Sequence, residues 1–168
     1  MIKLIVLDVD GTLTDGKLYI DNLGNEMKSF DVKDGLAISQ SINQGLKIAI
    51  ITGKISNIVE KRSKELGITD IIQGSKNKVE DLKKILKKYN FSFEETAYMG
   101  DDLVDLKVMK LCALSACPKD AVEEIIQISD FISSKNGGNG AVREFLESIL
   151  KKQNLWNDII NNFSSTEQ

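Results

Sequence analysis

The sequence contains no histidine, one proline and two cysteines among 168 residues. Without histidine a zinc site lacks its usual ligands, and every hydrolase that pairs a Ser or Cys nucleophile with a His base is excluded. Cys112 and Cys117 lie in one apolar stretch, where buried structural thiols are expected. Any catalysis must therefore use carboxylates, lysines, hydroxyl groups or a metal ion.

Excess positive charge and long apolar runs are also absent. A net charge of −3 and a pI of about 5.1 argue against nucleic acid or an anionic membrane surface as a partner. The apolar run at the start is interrupted at Asp8, so neither a signal peptide nor a membrane span is expected, and we expect a cytoplasmic protein. The length predicts one compact domain.

Short β-rich apolar runs alternate with helical periodicities along the chain. This alternation predicts a doubly wound, Rossmann-like α/β domain with helices on both faces of a parallel sheet. The predicted strands are 2–9, 46–51, 96–99, 111–116 and 131–132, and the predicted helices are 34–44, 55–66, 78–89, 103–110, 119–128 and 140–152. Ligands bind at the carboxyl ends of such strands, so the polar residues there should converge. These are Asp8, Asp10, Thr52, Asp101 and Asp102.

Two segments do not follow this alternation. Residues 17–31 are expected to form a β-hairpin inserted after the first strand, and its apolar side chains need to be covered either by the same domain or by a partner. Residues 153–168 form a tail after the α/β domain of residues 1–152. The tail carries a helical apolar face with Leu155, Trp156 and Ile159, which favours docking on another surface.

The segment DVDGTLT (8–14) directly follows the first apolar run. Of two carboxylates one residue apart at a strand end, one can attack phosphorus as a nucleophile. The other can protonate the leaving oxygen and later activate water. A cation is then needed beside them to neutralise charge and hold the phosphate. For this segment alone, a helix N-cap or a loop acid pair is the alternative interpretation.

The segment resembles motif I of the haloacid dehalogenase superfamily, and the other motifs of that family follow in its order. ITG (51–53) resembles motif II, Lys78 resembles the lysine of motif III, and MGDDLVD (99–105) resembles motif IV. The resemblance implies a Mg²⁺-dependent phosphomonoesterase that works through a phosphorylated Asp8. Asp10 stands where ion-pumping ATPases of the superfamily have Thr, which favours turnover.

The resemblance also implies a role for each motif residue. Asp8 is the nucleophile and a metal ligand. Asp10 is the acid/base and offers its backbone carbonyl to the metal, and Asp101 is the third ligand. Further roles follow for the remaining motif positions: Thr52 and Gly53 hold the phosphoryl oxygens, Lys78 steadies the phosphoryl charge, and Asp102 and Asp105 lie in the outer shell. For Asp105, an ordinary acid in the first turn of a helix is the alternative.

A finer resemblance rests on the hairpin, the lack of a cap insertion, and the segments FDVKDG (30–35), QGSKNK (73–78) and GGNGAVREF (137–145). These features resemble the capless 3-deoxy-D-manno-octulosonate 8-phosphate phosphatases and their relatives that act on nine-carbon 2-keto sugar acid phosphates. The resemblance implies a homotetramer in which hairpins pack together and a neighbouring subunit closes each active site. It also implies lipopolysaccharide sugar synthesis in a Gram-negative bacterium.

Lys54 stands where that group usually has Arg. The spacing of Lys54 and Arg62 predicts that both lie on one face of a helix. By the resemblance they grip the carboxylate of a sugar acid substrate, and a solvated basic face is the alternative. The glycine-rich run 137–140 is either a loop before a helix or a turn that faces a phosphate or carboxylate.

Two other functions fit parts of the pattern. A phosphoacceptor signalling domain also gathers acids, Thr and Lys at strand ends, but its acidic pair comes first in the chain, whereas Asp101 and Asp102 come last here. A capless phosphatase acting on a nucleotide or a phosphoprotein would differ only in its pocket walls. The discriminating test is a substrate panel assayed with Mg²⁺.

Overall fold

Buried apolar runs form the centre of a parallel sheet in the computed structural model, which describes residues 1–166. The strands are β1 (Leu4–Leu7), β2 (Tyr19–Ile20), β3 (Glu26–Met27), β4 (Lys47–Ile51), β5 (Asp70–Ile72), β6 (Thr96–Met99), β7 (Leu114–Cys117) and β8 (Phe131–Ile132). Six of them form one sheet in the order β5-β4-β1-β6-β7-β8. Every residue of β1 is buried, as expected for a central parallel strand covered on both faces.

Helices cover both faces of this sheet. They are α1 (Val32–Asn43), α2 (Asn57–Glu65), α3 (Lys78–Tyr89), α4 (Leu106–Met109), α5 (Glu123–Ile128), α6 (Ala141–Lys152) and α7 (Trp156–Ser164). One apolar cluster packs α1, α2, α6 and α7 against Ile5 and Leu7, and a second packs α3, α4 and α5 against Leu4 and Val6. Successive side chains of β1 therefore point to opposite faces of the sheet and pack in different apolar clusters. The predicted doubly wound architecture is confirmed.

Several boundaries differ from the sequence prediction. The strand β5 is not predicted, because its three residues form too short a run to stand out. The predicted helix 103–110 is divided into a 3₁₀ turn, Leu103–Asp105, and the short α4. The predicted helix 119–128 begins only at Glu123, and the predicted strand 111–116 is β7.

The predicted hairpin is formed by β2 and β3, which pair in antiparallel register with Tyr19 opposite Met27. Asp21 stabilises the connecting turn, because its Oδ1 accepts hydrogen bonds from the backbone N–H groups of Leu23 and Asn25. Neither strand joins the main sheet. Ile20 is 62% exposed and Met27 68% exposed, so the described chain does not cover the hairpin. In residues 1–166 no cap domain is inserted.

The tail packs on the domain rather than extending from it. Ile159 of α7 belongs to the first apolar cluster, and Leu155 and Trp156 pack against that cluster. Ile160 and Phe163, on the outer side of α7, remain exposed. The last two tail residues, Glu167 and Gln168, lie outside the described residues. In the described part of the chain, every helix is too short or too polar to span a membrane.

Candidate active site

The ends of three adjacent strands bring the motif residues to one edge of the sheet. β1 lies between β4 and β6, with Leu7 opposite both Ile50 and Met99. Asp8, Thr52 and Asp101 therefore follow at the same edge. Carboxylate oxygens of Asp8, Asp101 and Asp105 lie within 4.8 Å of one another.

Lys78 joins two of these carboxylates. Asn77 caps the start of α3 by accepting hydrogen bonds from the backbone N–H groups of Val79 and Glu80, so Lys78 is the first helical residue. Its Nζ lies 2.8 Å from Asp8 Oδ1 and 2.7 Å from Asp105 Oδ1, and the side chain is buried. We call Asp8, Lys78, Asp101 and Asp105 the catalytic cluster, after the catalytic site that the sequence predicts.

Asp105 is fully buried and its oxygens are occupied. Oδ1 accepts from Lys78 and from the Tyr98 hydroxyl at 2.9 Å, while Oδ2 accepts from the backbone N–H groups of Asp101 and Asp102 at 3.1 and 3.4 Å. A Cβ at Gly100 would lie 2.4 Å from Asp105 Cγ, so only glycine leaves room for this carboxylate. Asp105 therefore holds both Lys78 and the backbone of Asp101 in place through hydrogen bonds.

The cluster carries more negative than positive charge, with three carboxylates around one ammonium. Burial raises the pKa of Asp8 to about 6, with the charge of Asp105 adding to the rise and Lys78 opposing it. Burial and the charge of Asp8 raise the pKa of Asp101 to about 8. A divalent cation between Asp8 and Asp101 would remove this repulsion, and an oxygen-only donor set fits Mg²⁺.

The ammonium of Lys78 is held in its charged form. Burial by itself lowers its pKa, but the charges and hydrogen bonds of Asp8 and Asp105 outweigh burial and raise the pKa above its usual value. A permanent positive charge therefore sits against one oxygen of Asp8, where it can steady a bound phosphoryl group.

The loop of residues 8–14, which we call the nucleophile loop after the role predicted for Asp8, turns sharply beside Asp101. Gly11 has a φ of +88°, and a Cβ there would lie 1.8 Å from Asp101 Oδ2. The backbone N–H groups of Thr12, Leu13 and Thr14 all point to the carbonyl of Val9. This tight turn lets the loop approach Asp101 closely.

Asp10 contacts a residue that the sequence analysis does not identify. Lys28, just after β3, places its Nζ 2.6 Å from Asp10 Oδ1 and 3.4 Å from Glu26 Oε1. Burial lowers the pKa of Lys28, but its hydrogen bonds and ion pairs with Asp10 and Glu26 outweigh burial and raise it. One lysine among 22 basic residues gives no signal of such a contact. The contact of Tyr98 does have a sequence signal, because a hydroxyl group in a buried strand needs a hydrogen-bond partner.

Thr52 and Gly53 lie where their motif predicts, at the end of β4. Thr52 is buried, and its carbonyl accepts a hydrogen bond from the backbone N–H of Ser75, which ties the strand end to the loop before Lys78. Gly53 and Lys78 both line a cavity of about 330 Å³ together with Val104. This cavity opens beside the catalytic cluster.

Besides Asp10, Thr52 and Gly53, three further predicted site residues lie outside the catalytic cluster, namely Asp102, Lys54 and Arg62. Asp102 is exposed and caps the 3₁₀ turn through Leu103 N. Lys54 precedes α2, which begins at Asn57, so the prediction that Lys54 and Arg62 share a helical face is wrong. Ser56, in extended backbone, ends the non-helical segment that holds Lys54.

Lys54 and Arg62 also have different surroundings. Lys54 pairs with Glu26 of the hairpin at 3.2 Å, and its side chain is 47% exposed. The Arg62 guanidinium packs over Gly35, where a Cβ would lie 2.5 Å from Nη2, and Nη1 lies 3.5 Å from Glu65. Within one chain, Lys54 is therefore accessible to a ligand beside the hairpin, while Arg62 is partly enclosed by its own domain.

The glycine-rich run packs behind the nucleophile loop. A Cβ at Gly137 would lie 1.9 Å from the carbonyl oxygen of Gly11, and the backbone N–H of Gly138 donates to the carbonyl of Thr12 at 3.2 Å. This run therefore supports the loop backbone, a role that neither sequence interpretation includes.

Comparisons with known proteins agree with this geometry. A family model described as haloacid dehalogenase-like hydrolase matches residues 54–146. The 3-deoxy-D-manno-octulosonate 8-phosphate phosphatase KdsC of Escherichia coli (strain K12) is 41% identical over 152 residues, which are 90% of this chain and 81% of that protein. The relative of the same name from Yersinia pestis is 38% identical over 152 residues.

Solved structures extend the similarity to the whole fold. The crystal structure of 3-deoxy-D-manno-octulosonate 8-phosphate phosphatase from Moraxella catarrhalis, in complex with magnesium, phosphate and KDO, has a TM-score of 0.94 and 43% identity, covering 97% of this chain and 94% of that one. The cobalt-bound phosphatase of Haemophilus influenzae has a TM-score of 0.87 and 37% identity, covering 91% and 90%.

The fold, the acidic cluster and the relatives agree on the kind of enzyme. The predictions of a phosphatase and of Mg²⁺ as its cofactor are confirmed, since the relatives are phosphatases and a similar structure holds magnesium. The chain belongs to the haloacid dehalogenase-like hydrolases.

Proposed function

We propose that the enzyme hydrolyses 3-deoxy-D-manno-octulosonate 8-phosphate, with a nine-carbon 2-keto sugar acid phosphate as the alternative substrate. The observation that carries the reaction is the Lys78 ammonium held between Asp8 and Asp105 beside Asp101. The identity of the KdsC relatives supports the substrate. By the same proposal, the enzyme works in the cytoplasm and supplies sugar for lipopolysaccharide.

The first half of the reaction forms a phosphorylated Asp8. A carboxylate oxygen of Asp8 bonds to phosphorus as the ester P–O bond breaks, and Asp10 gives its proton to the leaving sugar oxygen. Lys78, together with Thr52 and Gly53, holds the phosphoryl oxygens. Mg²⁺, held by Asp8, Asp101 and the backbone carbonyl of Asp10, supplies positive charge when bound.

The second half regenerates the enzyme. Asp10 takes a proton from water as the water oxygen bonds to phosphorus, and the bond between phosphorus and Asp8 breaks. Asp105 contributes to both halves by fixing Lys78 and the backbone of Asp101, and we place Asp105 and Asp102 outside the metal's direct ligands. For Asp105 the reason is that four hydrogen-bond donors already occupy its oxygens.

Lys54 and Arg62 are proposed to bind the substrate's carboxylate. Lys54 has the accessible position, and its exposed pair with Glu26 is weak enough to be exchanged for a substrate carboxylate. Arg62 would act on a substrate held by a neighbouring subunit. We further propose that residues 1–152 form the hydrolase domain and residues 153–168 an accessory tail.

Phosphate release from a panel of sugar phosphates, nucleotides and p-nitrophenyl phosphate tests this proposal. We expect the highest kcat/KM on the octulosonate ester with Mg²⁺, no activity in EDTA, and recovery when Mg²⁺ is restored, because Asp8 and Asp101 repel each other without a cation. Lys54→Met should weaken kcat/KM about tenfold on the sugar acid and spare p-nitrophenyl phosphate, which has no carboxylate. Full activity in EDTA would contradict the metal role, and a preferred nucleotide would contradict the substrate.

We propose that the chain forms a homotetramer with the hairpin in its interface and active sites near subunit boundaries. The exposed Ile20 and Met27 motivate this proposal, since an isolated two-stranded hairpin with an apolar surface needs a cover. Light scattering at micromolar concentration should give about four times the 18.7 kDa chain mass. Ile20→Asp should lower that mass, while Leu111→Asp, at an exposed apolar residue outside the hairpin, should not. A wild-type mass of one chain would refute the proposal.

A further inference from the structure

Lys28 is the one hydrogen-bond donor to the Asp10 carboxylate in residues 1–166. The Lys28 side chain is 2% exposed, although it lies on a hairpin whose neighbouring Met27 is 68% exposed. The hairpin thus turns one basic side chain inward, against the nucleophile loop. Its Nζ approaches Asp10 Oδ1 to 2.6 Å.

The Asp10 side chain needs such a contact to hold its direction. It is 30% exposed and follows the strand end, so packing alone does not fix its rotamer. Proton transfer requires the donor oxygen within hydrogen-bond reach of the oxygen that receives the proton. A shift of about 1 Å can cost on the order of 10²-fold in rate. With Oδ1 bonded to Lys28, Oδ2 remains free to carry the proton.

We propose that Lys28 is a positioning residue for the acid/base, holding Oδ1 of Asp10 so that Oδ2 transfers the proton. This inference rests on the reaction proposed above. In the first step the O–H bond on Asp10 breaks and an O–H bond forms on the leaving alcohol, as the ester P–O bond breaks and a bond forms between Asp8 and phosphorus. The hairpin thereby takes part in catalysis as well as presenting an apolar surface.

The dependence on leaving group tests this role. Nitrophenolate leaves without protonation, whereas a sugar alkoxide needs the proton of Asp10. Lys28→Met keeps a chain of similar length and removes the hydrogen bond. We expect its first-turnover rate of alcohol release to fall about 10- to 100-fold on the sugar phosphate. On p-nitrophenyl phosphate the rate should change by less than about threefold.

Matched variants separate positioning from folding. Lys17→Met alters an exposed lysine of the same hairpin and should leave both rates unchanged. Lys28→Arg retains a charged donor and should recover part of the loss on the sugar phosphate. If Lys28→Met is unstable, Lys28→Gln replaces it, because glutamine is uncharged but still donates a hydrogen bond. Its rate on the sugar phosphate should be lower than that of the wild type, and its rate on p-nitrophenyl phosphate should be unchanged.

Two outcomes would overturn the inference. An equal fall in the first-turnover rate on both substrates would mean that Lys28 supports the fold. An unchanged rate on the sugar phosphate would mean that Lys28 does not position Asp10. Failure of the underlying reaction is distinguishable, because the wild-type enzyme would then show no acid-quenched phosphoenzyme on either substrate.

Discussion

Asp8→Asn is expected to reduce phosphate release by on the order of 10⁴-fold or more, because an amide is neither a nucleophile nor a strong ligand for Mg²⁺. The fold should survive the change. Burial and Asp105 raise the pKa of Asp8 to about 6 in the folded protein, so above that pH the ionised carboxylate lowers the free energy of unfolding of the metal-free protein. Asn removes this cost but leaves Lys78 its second partner, Asp105.

The measurement is kcat on the preferred ester together with the melting temperature in EDTA at pH 7.5. Asp8→Asn should be inactive and should melt no lower than the wild type. Asp158→Asn, at an exposed position in α7, is the matched control and should retain both values. Turnover at wild-type rates in Asp8→Asn would mean that another group is the nucleophile.

Local sequence signals predict the elements that position most of the cluster. Helix α3 begins and ends where the sequence predicts because both ends carry a capping residue. Asn77 accepts from two backbone N–H groups, and Asn90 adopts the left-handed conformation with φ +54°. This fixes Lys78 at the first turn. The strands before Asp8 and Asp101 are equally clear, since each is a short β-rich run with acidic residues shortly after its end.

Contacts between segments that are far apart in the sequence are not predicted by local signals of this kind. The approach of Lys28 to Asp10 depends on how the hairpin folds over the strand end, and no periodicity encodes that. The spacing of Lys54 and Arg62 predicts a shared helical face, but α2 begins three residues after Lys54, at Asn57. Spacing predicts a shared face only when both residues lie inside one helix.

Gly137→Ala is the second change with a large expected effect. The added Cβ would lie 1.9 Å from the carbonyl oxygen of Gly11 and 2.9 Å from that of Thr14. Both are backbone atoms, so no side-chain rotation relieves the clash and the nucleophile loop must move. The Gly137 backbone N–H also donates to Asp120 Oδ1 at 2.9 Å, which holds the glycine run in place from the other side.

The displacement should affect both catalysis and stability. A loop shift of about 1 Å moves Asp10 relative to the cluster and should lower kcat on the order of 10²-fold. Overpacking should lower the free energy of unfolding by about 1–3 kcal/mol. Gly45→Ala is the control, because Gly45 has a φ of +90° and open space around the added Cβ. Its backbone strain should lower stability by a similar amount while kcat stays at the wild-type value. Since both variants lose stability, only kcat separates them, and a wild-type kcat in Gly137→Ala would show that the glycine run does not hold the nucleophile loop in its active position.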